Sequence, residues 1–135
     1  MSEEIQDATT KTFWDRVEWD NVGFNKISKE DYLRIRSLHP KLYATFLGPD
    51  KKTQFFLFKP LGWGKYKDIR AKDLDKDTTR EYIVSSCILW PKMDPIVISN
   101  MDAGVMLALA NQILAVSNFI KDPDQVLEFI FECEN

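Results

Sequence analysis

The sequence predicts a mainly α protein: a small helical domain of about five helices with a short β-strand or hairpin near residues 43–59. Three observations predict it. Apolar residues recur at helical spacing in several stretches. Cap-forming Ser, Thr, Asn or Asp residues precede those stretches, and Pro or Gly follows several of them. Only Thr53–Lys59 is strongly β-prone, and it lies between Gly48-Pro49 and Pro60.

Residues 1–12 are polar, acidic and Thr-rich, and read as a flexible N-terminal tail; 13–135 reads as a single globular domain. From Phe13 to Ile27 the pattern is irregular, yet it holds Phe13, Trp14, Val17, Trp19, Val22 and Phe24. Such an arm must bury its apolar surface, on its own core or on a partner. Ser28 then caps a helix with Glu30 and Asp31 in its first turn and Tyr32, Ile35 and Leu38 at helical spacing, stopped by His39-Pro40. Leu42–Leu47 suits a turn of helix or, as Tyr43–Leu47, a hairpin partner for Thr53–Lys59. The edge of that strand could accept a strand from a partner.

Gly62-Trp63-Gly64 reads as a flexible joint holding one large ring, and Lys65–Lys72 as a short helix. Thr78 and Glu81 match a capping box, opening a helix whose stripe is Ile83, Val84, Cys87 and Ile88 and whose stop is Pro91. Pro95–Ser99 is short and β-branched. Asn100 or Asp102 caps an apolar helix to about Asn118, which should be the central core element, buried on most sides. Asp122-Pro123 starts a last helix with Val126, Leu127, Ile130 and Phe131 on its inner face.

Composition narrows the function. A hydrophobic share of 44% with 29% charge is that of a soluble globular protein. Nine Phe and four Trp are more than a small core readily hides, which points some of them toward an interface. The net charge of −3 favours neither nucleic acid nor membrane. Charge is uneven, however: seven bases face one acid between Lys51 and Lys72, and five acids with no base follow from Asp122. These are solvated faces, or a basic patch meeting an acidic tail on a neighbouring copy or another protein. The acidic start reads as no signal peptide, and the apolar run 103–116 is short of the ~20 residues a spanning helix needs, so no membrane insertion is expected. Cys87 and Cys133, each inside an apolar helical pattern, read as buried thiols of a reducing compartment.

No reaction centre emerges, and no catalytic, cofactor-binding or metal-binding residue is assigned. Asp73-x-Asp75-x-Asp77 opens like a calcium loop, but Thr78 stands where Gly is needed and Val84 where Glu is needed. His39 sits at a helix end with no Ser or Cys beside it to activate. The lysines and rings of 51–72 resemble a nucleic-acid surface, but alternation puts Phe56 and Phe58 on one face and Phe55 and Leu57 on the other, leaving few rings free to stack.

Several short motifs carry a resemblance. Phe58-Lys59-Pro60-Leu61 before Tyr66-Lys67-Asp68-Ile69 resembles the "RPL…eyee" opening of small tail-assembly and baseplate-associated proteins of contractile-tailed bacteriophages. Cys87-Ile88-Leu89-Trp90-Pro91 resembles their Cys-(Val/Ile)-Leu-(Tyr/Trp)-Pro helix end. Ala103-Gly104-Val105, the apolar helix through Ile113, and Ser117-x-Phe119 resemble their Ala-Gly helix with its Ser-Gly-Phe end. The resemblance covers about residues 55–120. Asn118 replaces the pattern's Gly, and Phe13–Leu47 has no counterpart. It implies a non-enzymatic tail or baseplate protein, structural or assembly-assisting, without deciding between a transient chaperone and a virion component. Its place would be the host cytoplasm or the virion. Partners would be other tail or baseplate proteins, with homo-oligomers left open. The contact residues expected are Trp14, Trp19, Phe55, Phe56, Phe58 and Trp63. The alternative is a nucleic-acid-binding accessory protein using 51–72.

Overall fold

The computed structural model describes residues 12–48, 54–119, 127 and 130–133. Its elements are α1 (Phe13–Arg16), a 3-10 turn (Trp19–Asn21), α2 (Lys29–Leu38), β1 (Tyr43–Leu47), β2 (Gln54–Phe58), α3 (Trp63–Ala71), α4 (Lys76–Cys87), β3 (Ile88–Trp90), α5 (Pro95–Ser99), α6 (Ala103–Val116) and β4 (Phe131–Glu132). The strands form one antiparallel sheet in the order β3-β2-β1-β4. The expected mainly α class is therefore wrong: the fold is mixed, with apolar layers packed on both faces of a four-stranded sheet.

The hairpin forms with Tyr43 opposite Phe58 and Leu47 opposite Gln54. Alternation then sorts its side chains as the sequence implies. Phe56 and Phe58 join one buried cluster; Ala44, Phe55 and Leu57 join the other. Two further strands escape the sequence reading. The residues before Pro91 were expected to extend α4, but Ile88 pairs with Phe58, Trp90 pairs with Leu57, and the Lys59 N–H donates to the Cys87 carbonyl at 3.0 Å. The residue before a proline disfavours α geometry, and Ile-Leu-Trp suits a sheet. At the other edge, Phe131 and Glu132 pair with Ala44 and Tyr43 rather than continuing a helix. Phe131 and Leu127 are exposed there, not inward-facing. Buried Cys133 follows the strand and donates its N–H to the Leu42 carbonyl at 2.8 Å. The expected N-terminal tail and the Asp122-Pro123 helix start lie outside the described residues, apart from Thr12.

Helix starts follow their caps. The Ser28 hydroxyl accepts the Asp31 N–H at 3.0 Å, as expected. For α4 the cap is Asp75 rather than Thr78: its carboxylate accepts the Thr78 N–H at 2.7 Å. That bond to the charged form holds the Asp75 carboxyl below its ordinary range. Despite its β-branched residues, Pro95–Ser99 is helical, because Asp94 accepts the Val97 N–H at 2.9 Å and Pro95 suits a first turn.

On one face of the sheet, α3, α4, α5 and α6 close over Phe56, Phe58, Ile88, Leu109 and Ile113. On the other, the arm and α2 cover Ala44, Phe55 and Leu57 with Phe13, Val22, Ile27, Tyr32 and Ile35. Of the two destinations open to the arm's apolar residues, its own core receives Phe13, Val22 and Ile27.

Candidate functional site

The most exposed large ring of the described residues is Trp63, at 68%. Its position follows from how α3 is tethered. After β2 the chain passes Lys59-Pro60-Leu61, where the Leu61 N–H donates to the Ser117 hydroxyl at 2.7 Å. Gly62 is the N-cap in extended geometry, and its carbonyl accepts the Tyr66 N–H at 3.0 Å. Ile69 turns inward to the core, fixing the rotation of the helix. Trp63 and Tyr66, three residues apart, then share a face. The expected flexible joint is not there: Gly62 caps, and Trp63 and Gly64 are helical. A Cβ at either glycine would meet nothing within 4 Å, so no crowding demands them.

Trp63, Tyr66 and Phe119 form a row, with ring centroids 5.7 and 4.9 Å apart. Phe119 is exposed and follows α6, so two helices far apart in sequence supply one surface. Cations brace it. The Lys67 ammonium lies 5.9 Å from the Trp63 ring centre, and the Arg70 guanidinium 5.8 Å from that of Tyr66. Each pair is spaced four residues along α3. A shallow groove of about 320 Å³ runs between Trp63, Tyr66, Lys67, Arg70 and Ala71.

Arg34 pairs with Asp31 on α2, and Arg80 with Asp77 on α4. Of the α3 cations, Lys67 and Arg70 line the groove and have no carboxylate within salt-bridge distance among the described residues, while Lys72 lies over the Tyr82 ring of α4 at 5.4 Å and Lys65 lies on the helix side away from Trp63. The result is an aromatic row, exposed at Trp63 and Phe119, flanked by Lys67 and Arg70. It can bind through ring faces, apolar edges and ionic contacts. Lys51 and Lys52, and most of the acidic stretch from Asp122, lie outside the described residues.

Other groups are quieter. Burial pushes the Cys87 thiol up to about 12, only partly opposed by Lys59 and Lys65, so it stays protonated at neutral pH. His39 is held below its ordinary range by burial and then by Lys59. Among the described residues no three His, Cys, Asp or Glu side chains are grouped as metal ligands. A larger cleft of about 600 Å³ lies between the arm and the β1–β4 edge, lined by Phe13, Val17, Phe46 and Phe131, with Arg16, Glu18 and Glu132 mixing the charge of its walls. The α3 groove is smaller, but both charged residues lining it, Lys67 and Arg70, are basic; Asp68 is exposed elsewhere on the helix.

Of the expected contact residues the structure brings Trp14, Trp19 and Phe55 together, apart from Trp63. Phe55, Phe56 and Phe58 are buried on the two faces of β2, so their rings build core and offer nothing to a partner. The open strand edge is absent too. β1 occupies one side of β2; on the other, β3 pairs with Leu57 and Phe58, and the Phe55 N–H donates to the Phe24 carbonyl at 3.2 Å. Trp14 and Trp19 are half-buried against the cluster opposite α3. Their rings lie 4.3 Å apart, with Trp19 Nε1 donating to the Trp14 carbonyl at 3.1 Å and the Trp19 ring edge-on to Phe55 at 5.0 Å. Trp63 alone of the set is fully at the surface. Tyr66, Lys67, Arg70 and Phe119 were missed as its companions. The four-residue spacings of Trp63 with Lys67 and Tyr66 with Arg70 were the available signal.

Comparison with protein-family models, with curated proteins and with solved structures gives no match.

Proposed function

We propose that this chain is a non-enzymatic structural or assembly protein of a contractile phage tail or baseplate, acting through protein–protein contacts, with the Trp63–Tyr66–Phe119 surface as one contact face. The observation that carries the reading is the convergence of the motif segments. Lys59 bonds the Cys87 carbonyl, Ile88 pairs with Phe58, Leu61 bonds Ser117, and Tyr66 packs on Phe119. Residues that resemble the tail proteins in scattered stretches thus form one continuous unit under the exposed row.

The departure at Asn118 fits the same unit. Asn118 has φ 65, a left-handed conformation that Gly enters freely and Asn tolerates better than most residues. Its N–H donates to the Ala115 carbonyl at 3.2 Å, and the Phe119 N–H to the Leu114 carbonyl at 2.9 Å, the paired bonds of a Schellman cap. Asn therefore does the work of the pattern's Gly.

A nucleic-acid accessory role is the second reading, favoured by the unpaired cations beside exposed rings. Against it, Tyr66 is half-buried, which leaves only Trp63 and Phe119 of the row exposed for bases to stack on. The deciding experiment is Trp63→Ala, with melting and co-purification with native neighbours both measured. The reading expects tail or baseplate proteins among the neighbours, and their loss from the variant at an unchanged melting temperature. Unaltered co-purification, or salt-sensitive retention on DNA in place of protein partners, would sink it.

A further inference from the structure

We infer that the α3 surface receives an acidic segment of a partner protein, with an apolar side chain of that segment seated beside Trp63. The inference rests on the contact role proposed above and adds the chemistry of what is contacted. Four observations carry it. Lys67 and Arg70, the charged residues of the groove, lack carboxylate partners among the described residues, whereas Arg34 of α2 and Arg80 of α4 each have one three residues away. Lys67 and Arg70 lie three residues apart on the face that carries Trp63, so an extended or helical acidic segment could meet both at once. Trp63 and Phe119 are exposed on the same surface, with a groove beside Trp63 for one apolar group. Lastly, α3 is held by Ile69 in the core and by the Leu61–Ser117 bond, so the surface is preformed and little ordering opposes binding.

The charges and rings have separate tasks. Long-range attraction between the lysines and a carboxylate-rich segment orients the approach and weakens with salt. The Trp63 face, with Lys67 beside it, supplies the desolvated contact. A neutral apolar segment would leave the Lys67 ammonium and the Arg70 guanidinium without carboxylate partners. A phosphate chain could satisfy them too, but of the row only Trp63 and Phe119 are exposed for stacking, Tyr66 being half-buried, and the groove has room for one apolar group.

The test uses the full chain and a fluorescein-labelled peptide of about 14 residues, Asp and Glu with two Leu, read by anisotropy. Its partners in the experiment are the same peptide with Asn and Gln for the acids, and an oligothymidylate of equal length. The acidic peptide should bind, and its amide version should bind at least about tenfold more weakly. Affinity should fall about tenfold or more between about 50 and 300 mM salt. The double variants Lys67→Gln/Arg70→Gln and Lys65→Gln/Lys67→Gln should each lose about tenfold at unchanged melting, since all three side chains are exposed. Equal binding of the amide peptide, tighter binding of oligothymidylate, or indifference of both double variants overturns the inference. If the acidic peptide fails while Trp63→Ala still releases native protein neighbours, the acidic chemistry falls and the contact role stands. If Trp63→Ala releases none, the contact role falls and the inference with it.

Discussion

The Ser117 hydroxyl accepts the backbone N–H of Leu61 at 2.7 Å and donates to the Ile113 carbonyl at 2.6 Å. One side chain thus joins the start of α3 to the end of α6 across 56 residues of sequence. Leu61 is buried, so its amide has little access to water. Ser117→Ala should destabilise the protein by ~1–3 kcal/mol, the cost of leaving a buried donor unpaired. Urea unfolding measures it, and a loss under ~0.5 kcal/mol would mean that the amide finds another acceptor.

Two leucines of α6 should behave oppositely. Leu109 is fully buried between the helical layer and the sheet, while Leu107 is 45% exposed. Leu109→Ala should cost ~2–5 kcal/mol, and Leu107→Ala under ~1 kcal/mol. Equal losses in denaturant unfolding would contradict the orientation of the helix. The expectation that α6 is buried on most sides is thereby narrowed: Leu107 and Asn111 face outward.

At Asn118 the backbone, not the side chain, sets the outcome. Asn118→Gly should be neutral or slightly stabilising, because the left-handed conformation is free for Gly. Asn118→Val, β-branched, should cost ~1–2 kcal/mol and loosen Phe119, the next residue in the aromatic row. Thermal melts of both variants decide it; a Val variant as stable as the parent would refute the cap.

His39 predicts a pH dependence. Its folded-state pKa is lowered by burial and by Lys59, so the unfolded chain binds the proton more readily. Its contribution is fully present above the ordinary value of about 6.5 and is lost as pH falls from there through the lower folded value. Stability measured from neutral pH down to about pH 5 should show this decline, and His39→Gln should flatten it in that window. An identical slope in the variant would remove His39 as its source.

How much of this was legible depends on how many residues announced each element. The hairpin was readable because five paired positions alternate between two buried clusters. The fold class was misread because the remaining strands have three and two residues, too short for a period to appear. Ile88 fits the α4 stripe as well as it fits a strand, and only its bridge to Phe58, 30 positions earlier, separates the two. Likewise α5 hid behind Ile96, Val97 and Ile98, whose β preference is weaker than the Asp94 cap and the packing of Ile98. In the candidate site, the exposure of Trp63 was expected, but the expected helix began only at Lys65. With Trp63 in a joint rather than a helix, its spacing to Lys67 had no geometric meaning.

β2 is covered on both faces and hydrogen-bonded along both edges. Solvent can reach its amides only after one neighbouring strand and one packed layer have moved away together. The arm with α2 meets the block from α3 to α6 through this strand and through Trp90, whose Nε1 donates to the Asn25 carbonyl at 2.7 Å, so β2 is central to the protein's cooperativity. Losing either layer leaves the other resting on a half-wetted sheet. Local fluctuations of the arm would expose Phe55 and Leu57 while Phe56 and Phe58 stayed dry, and proton exchange along this one strand would record full opening of the chain.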